Sequence, residues 1–272
     1  MKTSAKFLRT IDCGGKTTGG ESRIAGNHYL TGRAFLASAQ GITNDGTYYY
    51  CTGAFVPMKK TGLTKIDMQT GEVVLMRDSY MPSELKIQNF NHFGGCTYFE
   101  NEIYVAVEDR HRKHPCLAVF SAETLAFTGR YQILGPKIQP EGNLPWCAAD
   151  KEHRLLYTGY FNHCENINEF DIDTLSFRRS IPISRVVEKT QGGEMWDGLI
   201  YISCHDSWRK KHIYRIDPQT GQVETVMERS AGPHIVESEG MTICPMEDGS
   251  FFHQLDVIYP FGVAIRRYEK TK

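Results

Sequence analysis

A phrase that recurs five times constrains this chain more than any other feature. Its clearest copy runs from Gln191 to Cys204, Gln-Gly-Gly-Glu-Met-Trp-Asp-Gly-Leu-Ile-Tyr-Ile-Ser-Cys: small residues, a tight Asp-Gly turn, then an apolar strand. Looser copies start at Gln40-Gly41, Phe93-Gly94-Gly95, Pro145-Trp146-Cys147 and Glu239-Gly240. The starts recur roughly every 50 residues, a period typical of repeat architectures. Four of the copies continue alike, through a polar loop to a strand that ends in a polar turn. Ile66-Asp67 leads to Thr70-Gly71, and Ile216-Asp217 to Thr220-Gly221. Phe120 leads to Glu123-Thr124, and Phe170-Asp171 to Asp173-Thr174. Asp-x-x-Thr-Gly between β-rich runs is a hairpin turn, because glycine takes positive φ without a Cβ clash.

Four strands per unit make the blade of a β-propeller. The expected fold is all-β: five blades at about 36–76, 92–131, 144–183, 190–228 and 237–270. The last unit ends one strand short, and a spare strand, Lys6 to Ile11, sits at the other end of the chain. This N-terminal strand (6–12) is expected to complete the last blade and close the ring, since an open ring leaves unpaired edges. Gly14 to Gly32 reads as loop. The repeats fill the chain, so residues 1–272 are expected to form a single domain.

The repeat resembles an uncharacterised family of five-bladed β-propeller proteins. In these an inner strand begins with Gly-Gly and a later strand ends in a Lys-Ile-Asp-x-x-Thr-Gly turn. The matching residues are Gly94-Gly95, Gly192-Gly193 and Lys65-Ile66-Asp67-Met68-Gln69-Thr70-Gly71. The resemblance covers nearly the whole chain, and its motifs are architectural. Other five-bladed propellers include nucleotide-hydrolysing, glycan-cleaving and lectin-like families, and none of their functional residues is carried over.

Net charge is -1, which gives no electrostatic basis for binding nucleic acid or an anionic membrane. No 18-residue apolar run exists to span a bilayer. The N-terminus, Met1 to Lys6, has no apolar segment of the kind a signal peptide carries, which points to the cytoplasm unless a leader has been removed. Eight cysteines without a Cys-x-x-Cys pair read as small buried hydrophobes, with disulfides or a thiolate site as the alternative.

A fold implies no activity, so function must be sought in loops and in the axial channel. Two segments per blade should meet at one rim: the approach to the first strand and the end of the second. The approaches supply Gln40, His92, Trp146, Gln191 with Glu194, and Glu237 with Glu239. Aligned on the turn, the second strands end at Gly53, Glu108, Phe161, His205 and Asp256, followed by Ala54, Asp109, Asn162, Asp206 and Val257. Apolar strands thus run into His, Asp, Glu and Asn at a repeated place, and that convergence is the functional signal.

Several chemistries could use it. His92, His205 and His253, from separate blades, could hold a divalent ion such as Mn or Zn, and the rim carboxylates could suit Ca. The competing reading is that these histidines, with His163, satisfy hydrogen bonds between blades. Glu239 and Asp256 could move protons, as could His205; the alternative is a solvated rim of salt bridges. Gln40, Glu108, Asn162 and Gln191 could bind substrate, and Trp146 and Trp208 could stack on a sugar. The run Arg110-His111-Arg112-Lys113-His114 could grip an anion or simply be a solvated loop. The expected activity is that of an enzyme acting on a small polar molecule or saccharide, in its most concrete form a metal-assisted lyase or hydrolase. The alternative is a non-catalytic ligand-binding or protein-interaction propeller.

Overall fold

The structure, a computed structural model, describes residues 15–17, 20–22, 24–30, 32–55, 60–78, 80–206, 210–230, 235–259 and 262–269. Before the first blade come strands β1 (Gly15–Thr17), β2 (Gly20–Ser22) and β3 (Ile24–Leu30) and a short helix α1 (Gly32–Ala37). Blade one is β4 (Gly41–Asn44), β5 (Tyr48–Phe55), β6 (Lys60–Asp67) and β7 (Val73–Asp78). A short helix α2 (Ser83–Ile87) leads to blade two: β8 (Phe90–Phe99), β9 (Glu102–Asp109), β10 (Cys116–Ser121) and β11 (Phe127–Ile133). Blade three is β12 (Cys147–Asp150), β13 (Leu155–Thr158), β14 (Cys164–Asp171) and β15 (Phe177–Val187). Blade four is β16 (Thr190–Trp196), β17 (Leu199–Cys204), β18 (Lys210–Ile216) and β19 (Val223–Ser230). Blade five is β20 (Ile235–Ile243), β21 (Ser250–Tyr259) and β22 (Gly262–Glu269). The fold is the expected one: an all-β propeller of five antiparallel sheets.

The ring is closed from the N-terminal side, by a different segment from the one expected. β3 pairs antiparallel with β22, Val263 opposite Leu30 and Ile265 opposite His28, and so supplies the fourth strand of blade five. Lys6 to Ile11 lies outside the described residues. The stretch from Gly14 to Gly32, read as loop, contains three strands. β1 pairs with β19 and β2 with β1, extending blade four outward. The cause of the misreading is visible: Gly20, Gly26 and Gly32 punctuate this stretch and mask a strand signal.

Among the described residues, five hydrophobic clusters, one per interface between neighbouring blades, make most of the core, and a small sixth of Tyr29, Val236, Ile258 and Ala264 lies within blade five. Tyr50 and Leu63 meet Phe93 and Val105 between blades one and two. Tyr104 and Leu117 meet Leu156 and Phe170 at the next interface. Trp146 and Tyr157 then meet Ile200 and Ile202. Tyr201 and Met227 meet Met241 and Phe252. Leu255 and Ile265 meet Ile42 and Tyr49, which completes the circle. Because each sheet is covered on both faces, inner strands are apolar without alternation; Ile103 to Val107 are all buried.

The small residues of the repeated phrase are needed at the axis. A Cβ on Gly41 would lie 2.7 Å from Gly95 Cα, and one on Gly240 would lie 2.7 Å from Gly41 Cα. A Cβ on Gly192 would lie 2.7 Å from Gly240 Cα, and one on Gly193 would meet the Trp146 ring at 2.4 Å. Five inner strands thus close on one another at backbone distance. Gly240 N donates to Gln40 O and Gly95 N to Pro145 O, both at 2.7 Å, joining adjacent blades. Gly240→Ala is therefore expected to lower stability by about 1–3 kcal/mol, measured by urea unfolding, because backbone on both sides must yield.

Candidate functional site at the channel mouth

At one end of this girdle lies a cavity of about 170 Å³ to which all five blades contribute. Gln40, His92 and Glu108, Phe161, Gln191, and Glu237 with Glu239 line it, in blade order. These seven were placed on a common rim by sequence. Arg112, Asn143 and Pro145 also line it. Arg112 and Asn143 lie in irregular loops, where repeat alignment carries no signal; the density of charge around Arg112 was the only hint.

Two carboxyl groups in the cavity have unlike surroundings. Glu239, on β20, is buried, and its Oε2 has no hydrogen-bond partner among the described residues. Burial, reinforced by the nearby carboxylates Glu237 and Asp256, pushes its pKa well above the usual range. A raised pKa favours the protonated form, the form able to donate a proton. Glu108, at the end of β9, is fixed instead: its Oε1 accepts the Leu144 backbone N–H at 2.9 Å. Its Oε2 lies 3.5 Å from His92 Nδ1 and 3.6 Å from Arg112 Nε. Burial lowers the pKa of His92 against the opposing pull of Glu108, leaving a neutral imidazole at pH 7. A buried carboxyl with a raised pKa, a neutral imidazole beside a second acidic side chain, and three amide side chains therefore face one small space.

The other candidates stand elsewhere. His253 is buried between blades five and one, where its Nε2–H donates to Cys244 O at 2.8 Å and its Nδ1 accepts from the Tyr49 hydroxyl. His205 Nδ1 accepts from Lys211 Nζ at 3.0 Å and from Ser238 N at 3.2 Å. Burial and the Lys211 charge depress His205 to about 4. His92, His205 and His253 thus do not converge. Among the described residues no group of three His, Cys, Asp or Glu side chains is arranged to hold a metal ion. The expected ligand set for Mn, Zn or Ca is corrected accordingly. His163 is exposed and pairs with Glu188.

Asp256 is fully buried in an ion pair, receiving Arg229 Nη1 and Nη2 at 2.7 and 2.8 Å, with Arg266 Nη1 at 3.3 Å. It does not line the cavity. Trp146 is also fully buried, stacked over Gly193 and Gly159, and its indole N–H donates to Thr190 Oγ1 at 2.9 Å. It is a packing residue and offers no face to a ligand. Asn162 is exposed, with its backbone N–H bonded to Glu141, and is not among the residues that line the cavity. Trp208 lies outside the described residues. Glu194 is buried on the inner strand, where its Oε2 accepts from Thr242 Oγ1 at 2.7 Å, and burial raises its pKa to about 7. Seven cysteines among the described residues are free, six of them buried, as small hydrophobes would be.

Neither a protein-family model nor a curated protein sequence matches this chain. Among solved structures it is similar to a glutaminyl cyclase from Myxococcus xanthus, at 12% identity and a TM-score of 0.59, over 90% of this chain and 97% of that one. It is also similar to the GH43 endo-arabinanase from Bacillus licheniformis, at 13% identity and a TM-score of 0.51, over 89% of this chain and 96% of that one. At such identities the likeness shows the fold alone. No helix among the described residues is long and apolar enough to cross a membrane.

Proposed function

We propose that this chain is an enzyme acting on a small polar molecule, a neutral saccharide in the first instance, at the channel mouth. Glu239 is the general acid, and His92, steadied by Glu108, accepts a proton. Gln40, Asn143 and Gln191 offer paired donors and acceptors suited to hydroxyl groups, and Phe161 offers an apolar face. The reaction class is proton-transfer chemistry, hydrolysis or elimination, carried by the chain's own side chains. The observation that carries this reading is the buried carboxyl of Glu239, its Oε2 without a hydrogen-bond partner among the described residues and its pKa raised by burial, in a cavity that also holds the His92 imidazole. Both structural neighbours are enzymes by name, which supports catalysis as a use of such a mouth.

The test is turnover by the full chain on a panel of neutral saccharides. Arabinan belongs in it because one neighbour is named an endo-arabinanase, and glutaminyl compounds because the other is named a glutaminyl cyclase. With an active substrate, Glu239→Gln should lower kcat by about 10²–10⁴-fold while KM changes little. His92→Gln should remove one limb of the pH profile. Saturable binding with no turnover in the wild type would favour a pure binding module. Turnover unaffected by Glu239→Gln would end the catalytic assignment.

A further inference from the structure

Glu239 owes its direction to an irregularity in β20. Ser238 lies opposite Asp256 and Met241 opposite Gln254, so three steps along β20 match two along β21, and one residue is surplus: a β-bulge. Its effect on the side chains is visible. The Ser238 hydroxyl meets Arg229 of blade four, and Met241 packs in the cluster between blades four and five. In a regular strand, residues three apart face opposite sides. The surplus falls at Glu239 and Gly240. It lets Glu239 line the channel mouth while Gly240 closes on Gly41 at the axis.

Two side chains clamp the bulge. Gln254 Nε2 donates to Glu239 O at 2.8 Å and Gly240 O at 2.9 Å, with Leu255 O at 3.1 Å. Ser203 Oγ, from blade four, donates to Glu239 O at 2.7 Å. Both residues are fully buried. The hydroxyl belongs to the repeat. Thr52 stands opposite Gly41 as Ser203 stands opposite Gly192, and it donates in the same way to Gly94 O of the next blade. The glutamine does not belong to the repeat. Its place in the register is held by Cys51, Val105, Thr158 and Ile202 in the other blades. Blade two has the same bulge, between Phe93 and Cys96, but there it carries Gly94 and Gly95 and has Val105 in place of the amide. Gln254 also opposes stability, because its Oε1 is buried without a hydrogen-bond partner among the described residues. An amide that burial disfavours, present only where the bulge carries a carboxyl, serves the carboxyl more than the sheet.

We propose that Gln254 is a positioning residue: with Ser203 it holds the bulge in the form that aims the Glu239 carboxyl into the channel mouth. The effect on turnover rests on the catalytic reading of Glu239 given above; the aim of the carboxyl does not.

The test reads the carboxyl directly. The infrared difference between a protein and its own Glu239→Gln variant isolates the bands of Glu239. In the Gln254→Met background, which keeps an unbranched side chain but removes the donors, those bands should shift from their wild-type positions. Ser203→Ala removes a single hydroxyl from the same carbonyl and should shift them in the same direction; it carries the test if Gln254→Met fails to fold. Thr52→Val removes the equivalent bond to blade two and should leave the Glu239 bands in place. With an active substrate, Gln254→Met should lower kcat by about 10²-fold with KM nearly unchanged, the effect of a small misplacement of a reacting group. Glu239 bands unmoved in the folded variants, with only the unfolding midpoint lowered, would overturn the proposal and leave Gln254 a structural residue. Bands that move while Glu239→Gln itself leaves turnover intact would uphold the positioning and end the catalytic assignment.

Discussion

Asp256→Ala is expected to destabilise the protein by about 3–5 kcal/mol, measured by urea unfolding near neutral pH, because it removes the carboxylate from a buried ion pair. Arg229 is 1% exposed and donates two hydrogen bonds to Asp256, and Arg266 stands 3.3 Å away. Without Asp256 the Arg229 charge keeps, among the described residues, the Ser238 and Tyr268 hydroxyls as hydrogen-bond partners. Asp256→Asn keeps the shape but not the charge, and should recover only part of the loss. If Asp256 instead served the chemistry, either substitution would abolish turnover while leaving the unfolding midpoint in place. The two outcomes are opposite, so one pair of variants separates them.

The second large effect is in the dependence of stability on pH, where buried groups of opposite type oppose one another. His253 and His28 are buried and their pKa values are lowered to about 4. For such a base the unfolded chain takes up the proton first. Its stabilisation is complete above the unfolded value near 6.5 and is lost as pH falls through 4. The loss is roughly 3 kcal/mol for each imidazole. Glu194 has the reverse sign. Its pKa is raised from 4.5 to about 7. The unfolded chain therefore releases the proton first, and stability present below 4.5 is lost as pH rises through 7, again by roughly 3 kcal/mol. Glu239 acts in the same sense as Glu194. Between these limits the two kinds of group oppose one another in the wild type, with His205 and His92 acting in the same sense as His253 and His28. Glu194→Gln should uncover the histidines. It should match the wild type near pH 4.5 and gain roughly 3 kcal/mol over it by pH 8, with its Oε1 still accepting from Thr242. Parallel wild-type and variant curves over that range would show that Glu194 is ionised in the fold.

The architecture was legible because the repeat has two independent signatures. The Asp-Gly and Asp-x-x-Thr-Gly turns set the hairpins. Asp67 Oδ1 accepts the backbone N–H of Gln69 and Thr70 at 2.9 and 2.8 Å, and Gly71 takes a φ of 70°. The glycines of the inner strands in turn report how closely those strands approach at the axis. The channel mouth was legible to the extent that register could be counted from those turns. Gln40, Glu108, Phe161, Gln191 and Glu239 follow the count. Counting goes astray at irregularities, because one residue of slip sends a side chain to the opposite face. β8 breaks register between Phe90 and His92 and again between Phe93 and Cys96, and β20 does so between Ser238 and Met241. Aligned second-strand ends are therefore not equivalent in space, and Asp256 and Glu108 face different surroundings. Trp146 was misjudged for another reason. A tryptophan at a strand end has the same pattern whether its ring meets a ligand or, as here, the bare backbone of Gly193 and Gly159. Only the facing glycines distinguish the two, and they lie on other strands.

The functional reading depends most on the protonation of Glu239, and infrared difference spectroscopy reads it directly. The spectrum of the wild type minus that of Glu239→Gln, recorded at pH 7, should contain the carbonyl stretch of a protonated carboxylic acid. A difference spectrum with carboxylate bands alone would show that the residue is ionised, and would leave the channel mouth without its acid.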